Sequence, residues 1–112
     1  MKETRAHLSP TAEIAQLPAF PEEQYAILFR HGTLTVGLYA PRGTDTQTPH
    51  TRDEVYVVVT GQGTYVHGDT RRPFKPGDLM FVPAHVPHHF EDFTDDFVVW
   101  VLFYGPEGGE RA

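Results

Sequence analysis

The chain has 112 residues, a formal net charge of -6 and no cysteine. A chain of this length is typical of one domain with its own core. The negative charge argues against a nucleic-acid partner, which would need a clustered basic face. The absence of thiols excludes disulfides and thiolate metal sites, so any metal must bind to His, Asp or Glu.

The N-terminal residues lack the apolar stretch of a signal peptide, and no apolar run is long enough to cross a bilayer as a helix. The longest such run covers residues 97–104 only. We therefore expect a soluble, unexported protein, and the lack of cysteine favours the cytoplasm.

In chain order, the first predicted element is a short helix from Ser9 to Leu17, with Pro10 at its first position, where the missing N–H costs nothing. Runs rich in Val, Tyr, Phe and Thr then predict strands, each bounded by Gly, Pro or Asp. The predicted strands cover residues 25–30, 34–40, 55–60, 64–67, 78–82 and 97–104. Many short strands without alternating helices favour an all-β sandwich or barrel.

These elements divide the chain into an N-terminal arm (residues 1–24), a β-barrel (residues 25–105) and a C-terminal tail (residues 106–112). Two of the strands, Val55 to Val59 and Phe97 to Tyr104, are apolar at successive positions, so both of their faces are expected to avoid water. A second subunit would cover the outer face and makes a homodimer the economical interpretation. Sheet packing within one subunit is the alternative.

Two segments concentrate the histidines: residues 48–54 before one strand and residues 83–90 after another. Residues an even number apart on a strand face the same side, so His50 and Glu54 can point to one site, to which His88 would come from elsewhere in the fold. Two imidazoles and one carboxylate leave coordination positions open for water or substrate. This donor set suits Fe and is compatible with Mn, Ni, Co or Zn.

The other candidate residues have simpler interpretations as well. His89 is expected to face away from His88, and His31 and His67 stand beside glycines as turn residues. Tyr56 shares the parity of His50 and Glu54 and is expected to line a cavity. Phe81, Phe90 and Trp100 would form an apolar wall or simply pack in the core, and Arg52 would bind an anionic substrate or make a surface ion pair.

The spacing of these residues resembles the two motifs of the cupin superfamily. The first motif ends His, three residues, Glu, six residues, Gly, which matches His50, Glu54 and Gly61. The second motif matches at Gly77, Pro83 and His88 without a gap. The resemblance covers residues 43–92 and implies an antiparallel double-stranded β-helix, or jelly roll, that holds a divalent metal through His50, Glu54 and His88.

The departures from the motifs bear on the site. Thr48 stands where the family has its first histidine, and Gln47 could supply an amide oxygen instead. Gly43 is one residue out of step, so a bulge that moves His50 to the first slot stays open. His85 replaces the second motif's glycine, which indicates a left-handed turn rather than a ligand. Asp92 replaces its asparagine.

Two functional hypotheses follow. The first is a small metalloenzyme acting on a small molecule, of the oxygenase, isomerase or lyase type that the resemblance implies, with the metal as Lewis acid or dioxygen-binding centre. The second is a non-catalytic barrel that binds a small ligand for sensing or storage, which the missing first histidine and the lack of an obvious general base favour.

Overall fold

The computed structural model describes residues 7–18 and 24–111. It contains one short helix and eight strands in this range. In chain order they are α1 (Pro10–Ile14), β1 (Tyr25–His31), β2 (Leu34–Tyr39), β3 (Asp53–Thr60), β4 (Gly63–His67), β5 (Thr70–Phe74), β6 (Leu79–Val82), β7 (His88–Glu91) and β8 (Val98–Tyr104).

The strands form two sheets in which every pairing is antiparallel. Five strands lie in the order β1-β2-β8-β3-β6, and three lie in the order β5-β4-β7. The all-β class predicted from the short strands is therefore confirmed. Non-consecutive neighbours such as β8 beside β3 require the chain to cross between the ends of the sheets, as in a jelly roll.

The core fills the space between the sheets and is rich in rings. Along β3 the side chains of Tyr56 and Val58 are buried while their neighbours are half-buried, which is the period of two expected of a strand with one inner face. The Phe90 ring lies 5.0 Å from that of Tyr56, and Phe90, Phe97 and Phe74 contact one another with centroids 4.7 to 5.5 Å apart. Such edge-to-face and tilted contacts add to the free energy gained from burial alone.

The outer face of the five-stranded sheet is also apolar. At one end, Leu38, Ala40 and Val98 form a second buried cluster, against which Leu17 from the segment after α1 packs. At the other end, Leu79 and Phe81 of β6 are 64% and 46% exposed. No residue of β3 or β8 is exposed, as the prediction that both faces of these strands avoid water requires.

Several predicted elements need correction. The helix ends at Ile14 rather than Leu17, although Pro10 does take its first position after Ser9. Strands β5 and β7 were not predicted. Phe81 does not form an apolar wall inside the barrel, because its register partner Val55 lies on the outer face. Trp100 also faces outward, against the second cluster.

The loop after β6 and the C-terminal tail are both attached to the start of β3. The buried carboxylate of Asp53 accepts hydrogen bonds from the backbone N–H groups of Ala84 (2.9 Å) and Glu110 (2.8 Å). Gly108 N–H donates to the carbonyl of Thr51 at 2.6 Å. Asp53 thus connects three segments next to Glu54. Among the described residues, no helix is long and apolar enough to cross a membrane.

Candidate metal centre and cavity

The structure brings His50, Glu54 and His88 together at one end of the barrel. His50 lies in the loop before β3, Glu54 is the second residue of β3, and His88 begins β7 in the opposite sheet. Glu54 and His88 are buried, at 2% and 3% exposure, while His50 is half-buried. The two strands therefore supply fixed donors, and the loop supplies the one nearest to solvent.

One atom from each residue converges on a common point. His50 Nε2 lies 2.7 Å from Glu54 Oε1, His88 Nε2 lies 3.2 Å from the same oxygen, and the two Nε2 atoms are 3.2 Å apart. Ligands that share one ion at about 2.0 to 2.2 Å lie roughly 3.0 to 3.5 Å from one another, because tetrahedral and octahedral angles fix the edge of the polyhedron. The observed triangle is close to that size.

The other nitrogen of each imidazole makes a hydrogen bond to the backbone. His88 Nδ1 lies 2.9 Å from the carbonyl of Val86, and His50 Nδ1 lies 3.3 Å from the carbonyl of Arg52. A carbonyl only accepts, so each Nδ1 carries a proton, and in the neutral imidazole, the form that binds a metal, Nε2 then has the lone pair. Such a second contact is what orients a metal-ligating histidine in other proteins.

Contacts within the cluster also shift the pKa values of His50 and Glu54. Burial alone would lower the pKa of His50, but close contact with Glu54 and its negative charge outweigh this effect and raise the pKa. Burial alone would raise the pKa of Glu54, but the contacts with His50 and His88 outweigh it and lower the pKa. The carboxylate is thus held as an anion, which is the form that binds a metal.

The chain's own hydrogen bonds do not satisfy this cluster. Glu54 Oε1 is buried and makes no hydrogen bond of acceptable angle with any described residue. A buried anionic oxygen without a partner costs free energy, and two lone pairs aimed at it add repulsion. A divalent cation would satisfy all three donors at once, so the residues present fit such an ion.

A chain of hydrogen bonds leads away from the cluster through Tyr56. The Tyr56 hydroxyl lies 3.1 Å from His88 Nε2 and donates to Gln47 Oε1 at 2.9 Å. Gln47 Nε2 in turn donates to Asp45, which also accepts from Tyr39 and from the backbone of Phe90. The amide oxygen of Gln47, proposed above as a substitute ligand, therefore contacts Tyr56 in this structure.

Burial raises the pKa of Tyr56 well above its ordinary value, and the negative charge of Glu54 adds to the effect. The phenol is therefore protonated and can donate. As its parity on β3 predicts, Tyr56 also lines a cavity.

The cavity has a volume of about 620 Å³ and opens beside the cluster. Glu54 and Tyr56 line the cavity on the side of the His50–Glu54–His88 cluster, and Val101 and Phe103 of β8 form an apolar wall. Arg42 lies among polar residues of the loop between β2 and β3. Small-molecule sites in proteins have volumes of this order and combine apolar walls with a few polar groups.

The remaining predicted residues take different positions. His89 faces away from the cluster and contacts Glu91 at 2.6 Å. His85 has a positive φ of 71°, as expected of a residue in the place of a glycine. Arg52 neither binds a carboxylate nor reaches the cavity, because it donates to the backbone carbonyls of Gly105 and Thr33. Thr48 is exposed and lines the cavity.

Sequence reasoning missed the cavity wall. Phe103 packs edge-to-face on the His50 ring, with centroids 4.8 Å apart, and Phe103 pairs with Glu54 across β8 and β3. The strand pairing that brings them together is non-local and has no sequence signature here. Arg42 was also missed, although a cation between Pro41 and Gly43, in the loop that leads to His50, was a signal.

Comparisons with known proteins agree with this structure. The family model of the Cupin domain matches residues 35–104. An uncharacterised protein of Streptomyces coelicolor, SCO3923, is 39% identical over 85 residues, which cover 74% of this chain and 81% of the relative.

Two solved structures extend the comparison. KdgF from Halomonas sp. is 24% identical with a TM-score of 0.67, and the match covers 80% of this chain and 86% of KdgF. A structure from a study of the DMSP lyases RdDddP and RnDddQII is 28% identical with a TM-score of 0.54, over 66% of this chain and 38% of that one. The double-stranded β-helix expected from the motifs is thereby confirmed.

Proposed function

Because this chain belongs to the cupin superfamily, we propose that it is a small metalloenzyme whose divalent ion is held by His50, Glu54 and His88. The main support for the proposal is that three donor atoms lie within 3.2 Å of one another. In addition, the hydrogen bonds at Nδ1 orient both imidazoles so that Nε2 faces the other donors. The donor set suits Fe, Mn, Ni, Co or Zn.

The ion would supply Lewis acidity or dioxygen binding to a small molecule in the adjacent cavity. Around it, the residues of the chain have separate roles. His88 and Glu54 are held by strands, so their positions are fixed before any ligand enters. Val101 and Phe103 exclude water from one side of the cavity. The Tyr56 hydroxyl, which lies 3.1 Å from His88 Nε2, donates to the Gln47 amide oxygen and so holds Gln47 in the cavity wall.

The reaction belongs to the oxygenase, isomerase or lyase classes, and one comparison supports the lyase class. The structure that is 28% identical to this chain comes from work on DMSP lyases. This chain spans only 38% of that protein, so the support concerns the class of reaction and not the substrate.

A non-catalytic binding role is the second candidate. Its support is that, among the described residues lining the cavity, Glu54 is the one carboxylate, and Glu54 is already assigned to the metal. The described lining of the cavity therefore contains no second carboxylate that could act as a general base. If the protein only binds a ligand, the ligand should bind without turnover. If the protein is an enzyme, the substrate should be consumed in a reaction that depends on the metal.

We also propose that the chain forms a homodimer through the outer end of the five-stranded sheet. Leu79 and Phe81 of β6 are exposed there beside Val55 and Val57 of β3, which are half-buried. This outer-face patch, defined by these four residues, contains no charged side chain. A second copy would present the same apolar surface across a two-fold axis, as an isologous contact requires.

Metal analysis of untagged protein tests the proposed function. Protein grown with Fe, Mn, Ni, Co and Zn available should contain about one metal ion per chain. His50→Ala and His88→Ala should each lose it, because two donors hold an ion far less well than three. His89→Ala is the matched control, since this neighbouring imidazole faces away, and it should keep the metal. Wild-type protein without metal would contradict the proposal.

A further inference from the structure

An arginine side chain that makes no ion pair with any described residue lines the exposed side of the cavity beside the metal cluster. Arg42 is the one cationic side chain among its described lining residues. The side chain is exposed, and within residues 7–18 and 24–111 no carboxylate forms an ion pair with it. Its guanidinium group is therefore free to bind a ligand.

The nearest acidic residue in the same loop is occupied elsewhere. Asp45 accepts hydrogen bonds from the Tyr39 hydroxyl at 2.7 Å, from the Gln47 side chain at 2.6 Å and from the backbone N–H of Phe90 at 2.9 Å. These bonds hold the loop against β7 and fill the oxygens of Asp45. The same loop thus holds its carboxylate in place and leaves its arginine open to the cavity.

The backbone around Arg42 is also constrained. Pro41 before it is buried, and the carbonyl of Arg42 itself accepts a hydrogen bond from Thr44 N–H at 2.8 Å. Gly43 after it adopts a positive φ of 73°. An arginine on a fixed turn loses less conformational freedom on binding, and its fork of N–H groups matches a carboxylate in a bidentate manner.

The charges at the two ends of the cavity favour the same kind of ligand. A divalent ion with neutral His50 and His88 and anionic Glu54 leaves a net charge of about +1 at the floor, and Arg42 adds a second positive charge at the rim. The chain as a whole has a net charge of -6. A cavity that is positive at both ends on an acidic protein selects anions locally.

We infer that the cavity takes a small organic acid that binds Arg42 through a carboxylate and presents a second oxygen-donor group to the metal. This inference rests on the proposed function, because the second group needs the ion held by His50, Glu54 and His88. Thr44, Thr46 and Thr48 line the cavity as well and supply hydroxyls for polar groups in between.

Ligand titration of the Co²⁺-loaded protein tests the inference, with visible absorbance of the metal as the signal. The probes are malate and lactate, which share a 2-hydroxycarboxylate head that chelates the metal, while only malate carries a second carboxylate that is left to bind Arg42. Wild-type protein should bind malate roughly tenfold more tightly than lactate, as expected for one charge-assisted contact. Arg42→Gln should abolish this preference, while lactate affinity stays unchanged.

Two controls distinguish an effect of Arg42 on ligand binding from a general effect of removing an arginine or from a loss of metal. Arg72→Gln removes an exposed arginine on β5, away from the cavity, and should keep the preference for malate. Co²⁺ stoichiometry in Arg42→Gln should equal that of wild type. If Co²⁺ binds but malate shows no preference, or neither acid alters the spectrum, the inference is overturned and the metal site stands. If Co²⁺ does not bind, the proposed function fails first and the inference falls with it.

Discussion

Tyr56 shows how one residue connects the candidate metal centre to the rest of the barrel. It is 1% exposed, packs against Phe90, and places its hydroxyl between His88 and Gln47. Its place on the inner face follows from its parity with Glu54 on β3. Its partner Gln47 does not follow from the sequence, because Gln47 lies in a loop whose path depends on the bonds of Asp45.

Tyr56→Phe should therefore destabilise the protein without removing the metal. The substitution leaves Gln47 Oε1 without its donor, and an unsatisfied polar group of this kind costs about 1 to 3 kcal/mol. Urea unfolding measures the loss. Tyr65→Phe is the matched control, because its hydroxyl contacts only the half-buried His67 and should cost less. Loss of metal from Tyr56→Phe would contradict the prediction that the Tyr56 hydroxyl contributes to stability and not to metal binding.

His85 is assigned a structural role, although it lies close in sequence to His88, one of the candidate metal ligands. It is exposed and has a positive φ of 71°, and its N–H donates to the carbonyl of His50 at 2.7 Å. His85→Gly should keep both stability and metal. His85→Val should lose about 1 to 2 kcal/mol, because a β-branched residue fits the left-handed region poorly. Equal stability of the two variants, or metal loss in His85→Gly, would contradict the assignment of His85 as a turn residue that does not bind the metal.

At the scale of the elements, the strands rich in Val, Tyr, Phe and Thr were predicted to within about two residues, while two others were missed. Strand β5 carries Arg71, Arg72 and Pro73, and four of its five residues are exposed. It lies at the edge of its sheet, where proline and charge are tolerated because one side of the strand has no partner. β5 forms a strand because it pairs with β4, and the residue types of β5 do not indicate that pairing.

Strand β7 was missed for a different reason. It has only four residues, and its register places His88 opposite His67 and Phe90 opposite Tyr65. The sequence marks His88 as a ligand candidate through its motif, but the strand itself exists because β4 supplies hydrogen bonds. The same limit applies to Phe81, whose outward direction depends on pairing with Val55. That the three candidate ligands lie together was predictable from spacing, whereas the cavity walls were not.

At the scale of the whole molecule, the outer-face patch predicts the oligomeric state. Leu79 and Phe81 are the most exposed residues of this patch, so a charge placed there would have to be buried in a dimer. Phe81→Lys should convert the protein to a monomer without unfolding it. Light scattering checks this, with Ile27→Lys as a control at another exposed apolar residue, on β1. A wild-type monomer at high concentration would refute the dimer.

Acid should destabilise the metal-free protein through carboxylates far from the centre. Hydrogen bonds from the Lys75 side chain and backbone lower the pKa of Asp78, and hydrogen bonds from Thr94 and Thr60 lower that of Asp96. A lowered folded pKa contributes stability that is fully present above the unfolded value of 3.8 and is lost as the pH falls through the lower folded value.

Melting temperatures between pH 6 and pH 2, measured in EDTA, check this expectation. The melting temperature of wild type should fall below about pH 4. Asp78→Asn and Asp96→Asn should be less stable at pH 6 and should approach wild type at the lowest pH, because both groups are then neutral in either protein. A constant difference across the range would contradict the assignment.

The central claim is that His50, Glu54 and His88 hold one divalent ion. Anomalous diffraction at the metal's absorption edge, from crystals of untagged protein, tests this claim most directly. We expect a peak within about 2.0 to 2.3 Å of His50 Nε2, Glu54 Oε1 and His88 Nε2. A well-ordered site with no peak there, after growth and soaking with Fe, Mn, Ni, Co and Zn, would contradict it.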